Sequence, residues 1–309
     1  MKYLVTGGAG FIGSNIAARL LENGDSVRIL DNFSTGRREN LETLKADAEI
    51  IEGDIRDIAT TEKAVKGIDY VLHQAALPSV PRSVKDPLTS NAVNVDGTLY
   101  LLEAAKNAGV KKFVMASSSS VYGESEELPK HEKMMPAPLS PYAVTKLTNE
   151  HYLKVYWQLY GFPTVALRYF NIFGPNQDPG SEYAAVIPKF ITSLLNGQQP
   201  VVFGDGEQSR DFTYIDNCVQ ANILAATSDK IVGDHYNVAY GDQYTLNQTL
   251  DILREIIGSD VKAKYDPPRE GDILHSYASV DKLKSLGYKP SVDFREGLKR
   301  TVEFFRGRK

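Results

Sequence analysis

The chain of 309 residues is 42% apolar and 24% charged, too much core for a disordered protein and enough for about two domains or one unit with an appendage. Thirty-five Lys and Arg against 39 Asp and Glu give a net charge of −4, with no basic excess to neutralise a nucleic-acid backbone or an anionic membrane. The one cysteine, Cys218, excludes an intramolecular disulfide framework and a cysteine-rich metal cage.

No apolar run approaches the roughly 18 residues needed to span a bilayer, and residues 1–6 run straight into glycines where a signal peptide needs its apolar stretch. A cytoplasmic protein that begins with its first strand is expected. Strands are predicted at 3–6, 27–30, 50–52, 70–73, 113–116 and 164–168, with amphipathic helices at 11–22, 88–108 and 142–160. Such alternation means right-handed βαβ crossovers and an α/β, Rossmann-type, doubly wound parallel sheet. Asn23-Gly24 and Gly109 stand where helices end, and Pro87 and Pro141 suit first helical positions. Beyond residue 170 the spacing loses regularity: a loop over 171–182, a helix over 183–196, then short elements. A main domain over 1–170 is therefore expected to carry a smaller α+β lobe over 171–309, laid on the carboxyl edge of the sheet. Later strands remain free to return to that sheet.

Gly7, Gly10 and Gly13 follow the first strand, and Phe11-Ile12-Gly13 opens the next helix. Side chains there would collide with a pyrophosphate, whereas helix N-terminal amides favour its charge. The second strand ends at Asp31, 18 residues beyond Gly13, where a carboxylate can accept from both adenosine ribose hydroxyls. A 2′-phosphate would meet a like charge there, which favours NAD over NADP. Arg37 and Arg38 weigh the other way, as partners for that phosphate, unless they are solvated loop residues. Asp54 is either a partner for the adenine amine or an ordinary strand-end carboxylate. Ala75-Ala76 has the small side chains needed where backbone passes a cofactor.

Ser140-Pro141-Tyr142 reads as an N-cap and first turn, and Tyr142 and Lys146 then share one helical face. Ser117-Ser118-Ser119-Ser120 ends a parallel strand, where hydroxyls face the ligand crevice or simply form a turn. Making a tyrosine a base at pH 7 requires about three pKa units, roughly 4 kcal/mol. Desolvation pushes the other way, but a lysine ammonium about 4 Å away supplies about that much at an effective dielectric of 20, and an oxidised nicotinamide adds to it. The histidines at 73, 131, 151, 235 and 275 show no metal spacing, so no metal is expected.

Thr6-Gly7-Gly8-Ala9-Gly10-Phe11-Ile12-Gly13, Tyr142 with Lys146, and Arg168-Tyr169-Phe170-Asn171 together resemble the extended short-chain dehydrogenase/reductase family. The stretches 72–83 and 178–188 resemble its nucleotide-sugar 4-epimerases, particularly those acting on acetamido sugars. The resemblance implies a UDP-sugar substrate, held NAD and a transient 4-keto sugar, with Tyr142, Lys146 and Ser118 catalytic. NAD would be held by Gly7, Gly10, Phe11, Ile12, Gly13, Asp31, Asn32, Ser34, Gly36, Asp54, Ile55, Ala75, Ser117, Tyr142, Lys146 and Tyr169. The UDP-sugar would meet Ser79, Ser118, Ser119, Ser120, Tyr142, Asn171, Val186, Val202, Phe203, Arg210, Arg269, Asp272 and Ser276.

Related dehydratases carry an Asp-Glu pair, and decarboxylases a Glu, where this chain has Ser119-Ser120; a serine cannot do a carboxylate's acid/base work. Ser276 stands where epimerases restricted to plain hexoses carry tyrosine, which makes UDP-GlcNAc and UDP-GalNAc the expected pair. UDP-glucose, both sugar classes, UDP-glucuronate and a noncatalytic NAD-binding scaffold are the alternatives. Pro78 replaces a lysine that touches cofactor phosphate in some relatives. The family's intersubunit bundle implies a homodimer built on the helices at 88–108 and 142–160.

Overall fold

A computed structural model describes residues 1–180, 185–268 and 274–307. In chain order its first part runs β1 (Lys2–Thr6), α1 (Phe11–Glu22), β2 (Ser26–Asp31), β3 (Ala48–Glu52), α2 (Ile58–Val65), β4 (Tyr70–His73), α3 (Val80–Lys85), α4 (Pro87–Asn91), α5 (Gly97–Asn107), β5 (Lys112–Ser118), α6 (Pro141–Tyr160) and β6 (Thr164–Tyr169). The remainder adds β7 (Ile172–Phe173), α7 (Val186–Leu195), β8 (Val201–Phe203), β9 (Ser209–Arg210), β10 (Thr213–Tyr214), α8 (Ile215–Thr227), β11 (Asp234–Val238), β12 (Tyr244–Thr245), α9 (Leu246–Ile257), β13 (Lys264–Asp266), α10 (Asp281–Lys284) and α11 (Phe294–Gly307).

Seven parallel strands form the central sheet in the order β11-β6-β5-β4-β1-β2-β3. Helices cover both faces, so the inner strands are buried on both sides and read as continuous apolar runs; every residue of β6 is buried, whereas the edge strand β3 is largely exposed. One layer of core sets Ile16 and Leu20 of α1 and Ala221 of α8 against the sheet. The other sets Val65 of α2, Leu101 of α5 and Leu153 of α6 against it. From β1 the chain winds outward through β2 and β3, then returns to place β4 on the other side. That reversal opens a crevice beyond the carboxyl ends of the strands, where Thr6, Asp31, His73, Ser118 and Tyr169 stand.

Local signals are realised where they were read. Pro87 and Pro141 occupy first turns, Ser140 Oγ accepts the Ala143 N–H at 3.2 Å, and Gly24 and Gly109 take positive φ after α1 and α5. Three features differ. The helix expected over 88–108 is α4 and α5 joined by a π turn at Ala92–Asp96; one added residue keeps an apolar face on either side, so periodicity does not register it. Helices α2 and α3 are too short for a periodic signal. The helix expected over 183–196 is seen from Val186, since 181–184 lie outside the described residues.

Beyond β6 the chain builds three two-stranded sheets, β7 with β10, β9 with β12, and β8 with β13. β11 then rejoins the central sheet beside β6. Among the described residues no helix is long and apolar enough to cross a membrane.

Candidate active site

A cavity of about 720 Å³ occupies the switch-point crevice. On its floor Gly7 has φ +65°, and a Cβ there would lie 2.7 Å from the Ala75 nitrogen. A Cβ on Gly13 would lie 2.2 Å from the Gly7 carbonyl oxygen. Only glycine permits this approach of β1, α1 and the loop after β4. No side chain caps α1, so its first-turn amides remain as donors for an anion beside the cavity.

Asp31 ends β2 in the cavity wall. Its Oδ2 accepts the Ala9 N–H at 2.9 Å and its Oδ1 the Phe33 N–H at 2.8 Å. Two of the roughly four acceptor positions of a carboxylate are thus used, leaving capacity for ribose hydroxyls. Burial pushes its pKa up, while the two backbone donors pull it down. Gly10, Phe11, Ile12, Asn32, Ser34, Gly36, Ile55, Ala75, Ser117 and Tyr169 line the same cavity. Asp54 lines it too, but Arg56 and Asn32 already give it four hydrogen bonds, so an adenine amine would have to displace one. This uncapped, glycine-floored cradle with a carboxylate in its wall fits a dinucleotide.

Tyr142 and Lys146 reach the cavity from α6, and Ser118 from the end of β5. The Ser118 hydroxyl is within hydrogen-bonding reach of the tyrosine, and it also accepts the Ser120 N–H at 3.1 Å and hydroxyl at 2.9 Å. Ser119 and Ser120 belong to the one-turn helix Ser119–Tyr122, and the Ser117 hydroxyl turns away to Glu150 at 2.5 Å. Lys146 is only 4% exposed; its Nζ donates to the Ala116 carbonyl at 2.8 Å and lies 5.8 Å from the Tyr142 ring centre.

Burial raises the Tyr142 pKa, and the Ser118 hydrogen bond opposes it. Burial pulls the Lys146 pKa down to about 8, with Glu150 opposing. In the protein alone, then, desolvation outweighs the expected activation of the tyrosine.

A second cavity of about 270 Å³ adjoins the first at Ile172 and Ala185, which line both. Asn171, Val186, Phe203 and Arg210 line it. Arg210 Nη1 donates to the Ser209 and Leu274 carbonyls at 2.9 and 3.1 Å. Val202 is corrected: its side chain is 0% exposed in the core, because strand alternation sends Val201 and Phe203 to the cavity and Val202 to the opposite face. Asn171 Nδ2 reaches Ser276 Oγ at 3.4 Å, joining two candidates 105 positions apart. Ser79 lines the first cavity and caps α3, while Arg269 and Asp272 lie outside the described residues.

Sequence reasoning missed Glu150, whose spacing of four from Lys146 was the available signal. It also missed Asn94 in the π turn, whose side chain accepts the Leu77 N–H at 2.7 Å and donates to Thr145 Oγ1 at 3.2 Å. That residue ties the loop after β4 to the helix carrying Tyr142.

His73 is a packed residue, set between Thr6 Oγ1 at 2.7 Å and Thr98 Oγ1 at 2.9 Å. Burial, helped by the Lys146 charge, lowers its pKa from 6.5 to about 3. The fold therefore refuses a proton that the unfolded chain accepts below pH 6.5. Stability is expected to fall with acidification by up to about 1.4 kcal/mol per pH unit from this group, between about pH 6 and 3. Urea unfolding of the protein and of His73→Gln from pH 7 to 4 measures it; parallel curves would refute the assignment.

The family described as NAD dependent epimerase/dehydratase matches residues 3–239. A UDP-N-acetylglucosamine 4-epimerase from Methanobrevibacter ruminantium, solved with UDP-N-acetylmuramic acid, is 47% identical with a TM-score of 0.95 over 100% of this chain and 99% of that one. A Thermotoga maritima UDP-glucose 4-epimerase, solved with UDP-glucose, is 41% identical with a TM-score of 0.94 over 100% and 99%. The Thermus thermophilus UDP-glucose 4-epimerase, solved with NAD, is 41% identical with a TM-score of 0.91 over 99% of each chain. With a match across most of its length and a cavity built to hold the dinucleotide, the chain belongs to the NAD dependent epimerase/dehydratase family and uses NAD.

Proposed function

We propose that the protein is an NAD-dependent UDP-sugar 4-epimerase that interconverts UDP-GlcNAc and UDP-GalNAc. Supporting the chemistry is the meeting of Tyr142, Ser118 and Lys146 above the NAD cradle. Carrying the sugar assignment is Ser276, a small side chain whose hydroxyl lies 3.4 Å from the amide of Asn171, which lines the second cavity. A tyrosine there would fill space that an acetamido group needs. The 47% identical neighbour, a UDP-GlcNAc 4-epimerase holding a UDP-N-acetyl sugar, supports the same assignment.

Bound NAD supplies the oxidising and reducing equivalents at sugar carbon 4 and, when oxidised, a positive charge. The chain's own residues manage the proton. Tyr142 Oη takes it from the 4-hydroxyl and returns it to the same oxygen, and the Ser118 hydroxyl holds that oxygen beside the tyrosine. Lys146, fixed by Ala116, supplies a nearby positive charge to the tyrosinate. Ser119 and Ser120 offer no carboxylate to drive elimination. UDP is assigned to the second cavity, where Phe203 offers a ring and Arg210 a forked donor.

The second reading, a UDP-glucose 4-epimerase, is favoured by the two neighbours of that name. Purified protein incubated separately with UDP-GlcNAc and UDP-glucose, without added cofactor, should form UDP-GalNAc at the higher catalytic efficiency. Ser276→Tyr should depress acetamido-sugar turnover about 5- to 150-fold more than hexose turnover, the range that packing penalties of about 1–3 kcal/mol give. Equal losses would remove Ser276 from specificity. A homodimer fits the exposed Val84 and Leu88 on α3 and α4 beside Val144, Val155 and Leu159 on α6.

A further inference from the structure

Arg37 was a candidate partner for a 2′-phosphate, and its side chain is engaged elsewhere: Nη2 lies 2.7 Å from Asp178 Oδ2. Both residues of the pair line the larger of the two cavities. Arg37 belongs to the loop after β2, and its N–H donates to the Ala9 carbonyl at 3.0 Å, within the glycine-rich floor. Asp178 belongs to the loop after β7, on the opposite wall. Two more bonds cross the same gap, from Asn15 Nδ2 to the Pro175 carbonyl at 3.0 Å and from Asn176 Nδ2 to Ser14 Oγ at 3.1 Å. The segment 175–178 is thereby fastened to the start of α1, over the amides that seat a pyrophosphate.

An epimerase restores its cofactor's oxidation state in every turnover, so exchanging NAD gains it nothing; a net dehydrogenase must exchange. We propose that Arg37 and Asp178 are cofactor-retaining residues, whose ion pair joins the two cavity walls over bound NAD so that release of NAD waits on its opening. This rests on the NAD-epimerase reading above. With side chains 45% and 31% exposed, the pair is open to screening by salt, whereas the two amide bonds beside it are between neutral groups. Retention is therefore expected to carry a salt-dependent part that belongs to these two residues.

The test is the release rate of radiolabelled NAD from the full-length protein, chased with excess unlabelled NAD and read by rapid gel filtration. Arg37→Gln and Asp178→Asn are each expected to speed release by about two- to fivefold. Raising salt from about 0.05 M to about 1 M should do the same to the unaltered protein and little to either variant. The exchanged pair, Arg37→Asp with Asp178→Arg, should bring the rate back toward that of the unaltered protein. Release from Asp178→Asn at the original rate overturns the proposal. Fast release from Arg37→Gln alone, without recovery in the exchanged pair, also overturns it and makes Arg37 a direct cofactor contact. If the unaltered protein takes up NAD but converts no UDP-sugar, the epimerase reading fails while the release rates still judge the pair; if it takes up no NAD, both fail.

Discussion

Tyr142→Phe is expected to lower kcat about 10²- to 10⁴-fold, the range for removing a positioned acid/base group. The fold should survive intact, because the hydroxyl's polar link among the described residues is to Ser118, not to the buried scaffold of α6. The tyrosine's backbone is held independently, its N–H donating to Ser83 Oγ at 3.0 Å within a first turn capped by Ser140. Loss of activity should therefore come with unchanged NAD content and an unchanged unfolding midpoint. Turnover of UDP-GlcNAc followed by chromatography, alongside cofactor content after denaturation, checks both halves. A variant that turns over at the original rate would take Tyr142 out of the mechanism.

Glu150→Ala is expected to cost about 3–5 kcal/mol of stability, the penalty for leaving a buried partner charge uncompensated. Glu150 and Arg168 face each other with side chains 6% and 1% exposed. Arg168 Nε and Nη2 donate to the two carboxylate oxygens at 2.9 and 2.6 Å, and the guanidinium lies over the Tyr122 ring at 4.6 Å. Removing both charges, as Glu150→Leu with Arg168→Met, should recover most of the loss, since an apolar pair needs no dehydrated ions. Denaturant midpoints of the two variants decide the matter. If the double variant is no better than Glu150→Ala, the cost lies in packing instead of charge.

What could be read from the chain follows the range of each signal. The glycines with Asp31, and Tyr142 with Lys146, are spaced by single elements, so their placement is local and legible. The central strands were legible because strands buried on both faces leave continuous apolar runs. Arg37 and Asp178 are 141 positions apart and belong to two irregular loops; nothing in either loop's composition announces the other. Glu150 and Arg168 are 18 apart, but their meeting depends on α6 packing over β5 and β6. Val202 shows the limit of a family likeness: the segment lines the second cavity, yet alternation along β8 decides which side chains do so. For Tyr142 the direction of each contribution was legible and the depth of burial was not. Charge attraction could be computed from spacing, whereas the opposing cost of dehydration depends on how deeply the folded chain buries the ring.

The position of β11 restricts how such proteins diversify. This strand is made after most of the site loops, yet it completes the central sheet by covering the outer side of β6. A cut after residue 170 would leave β6, with six buried residues, as a bare apolar border inviting self-association. The sugar-handling region is therefore not a cassette that recombination can exchange whole. New specificities must arise by substitution and loop remodelling around a border strand that stays where it is.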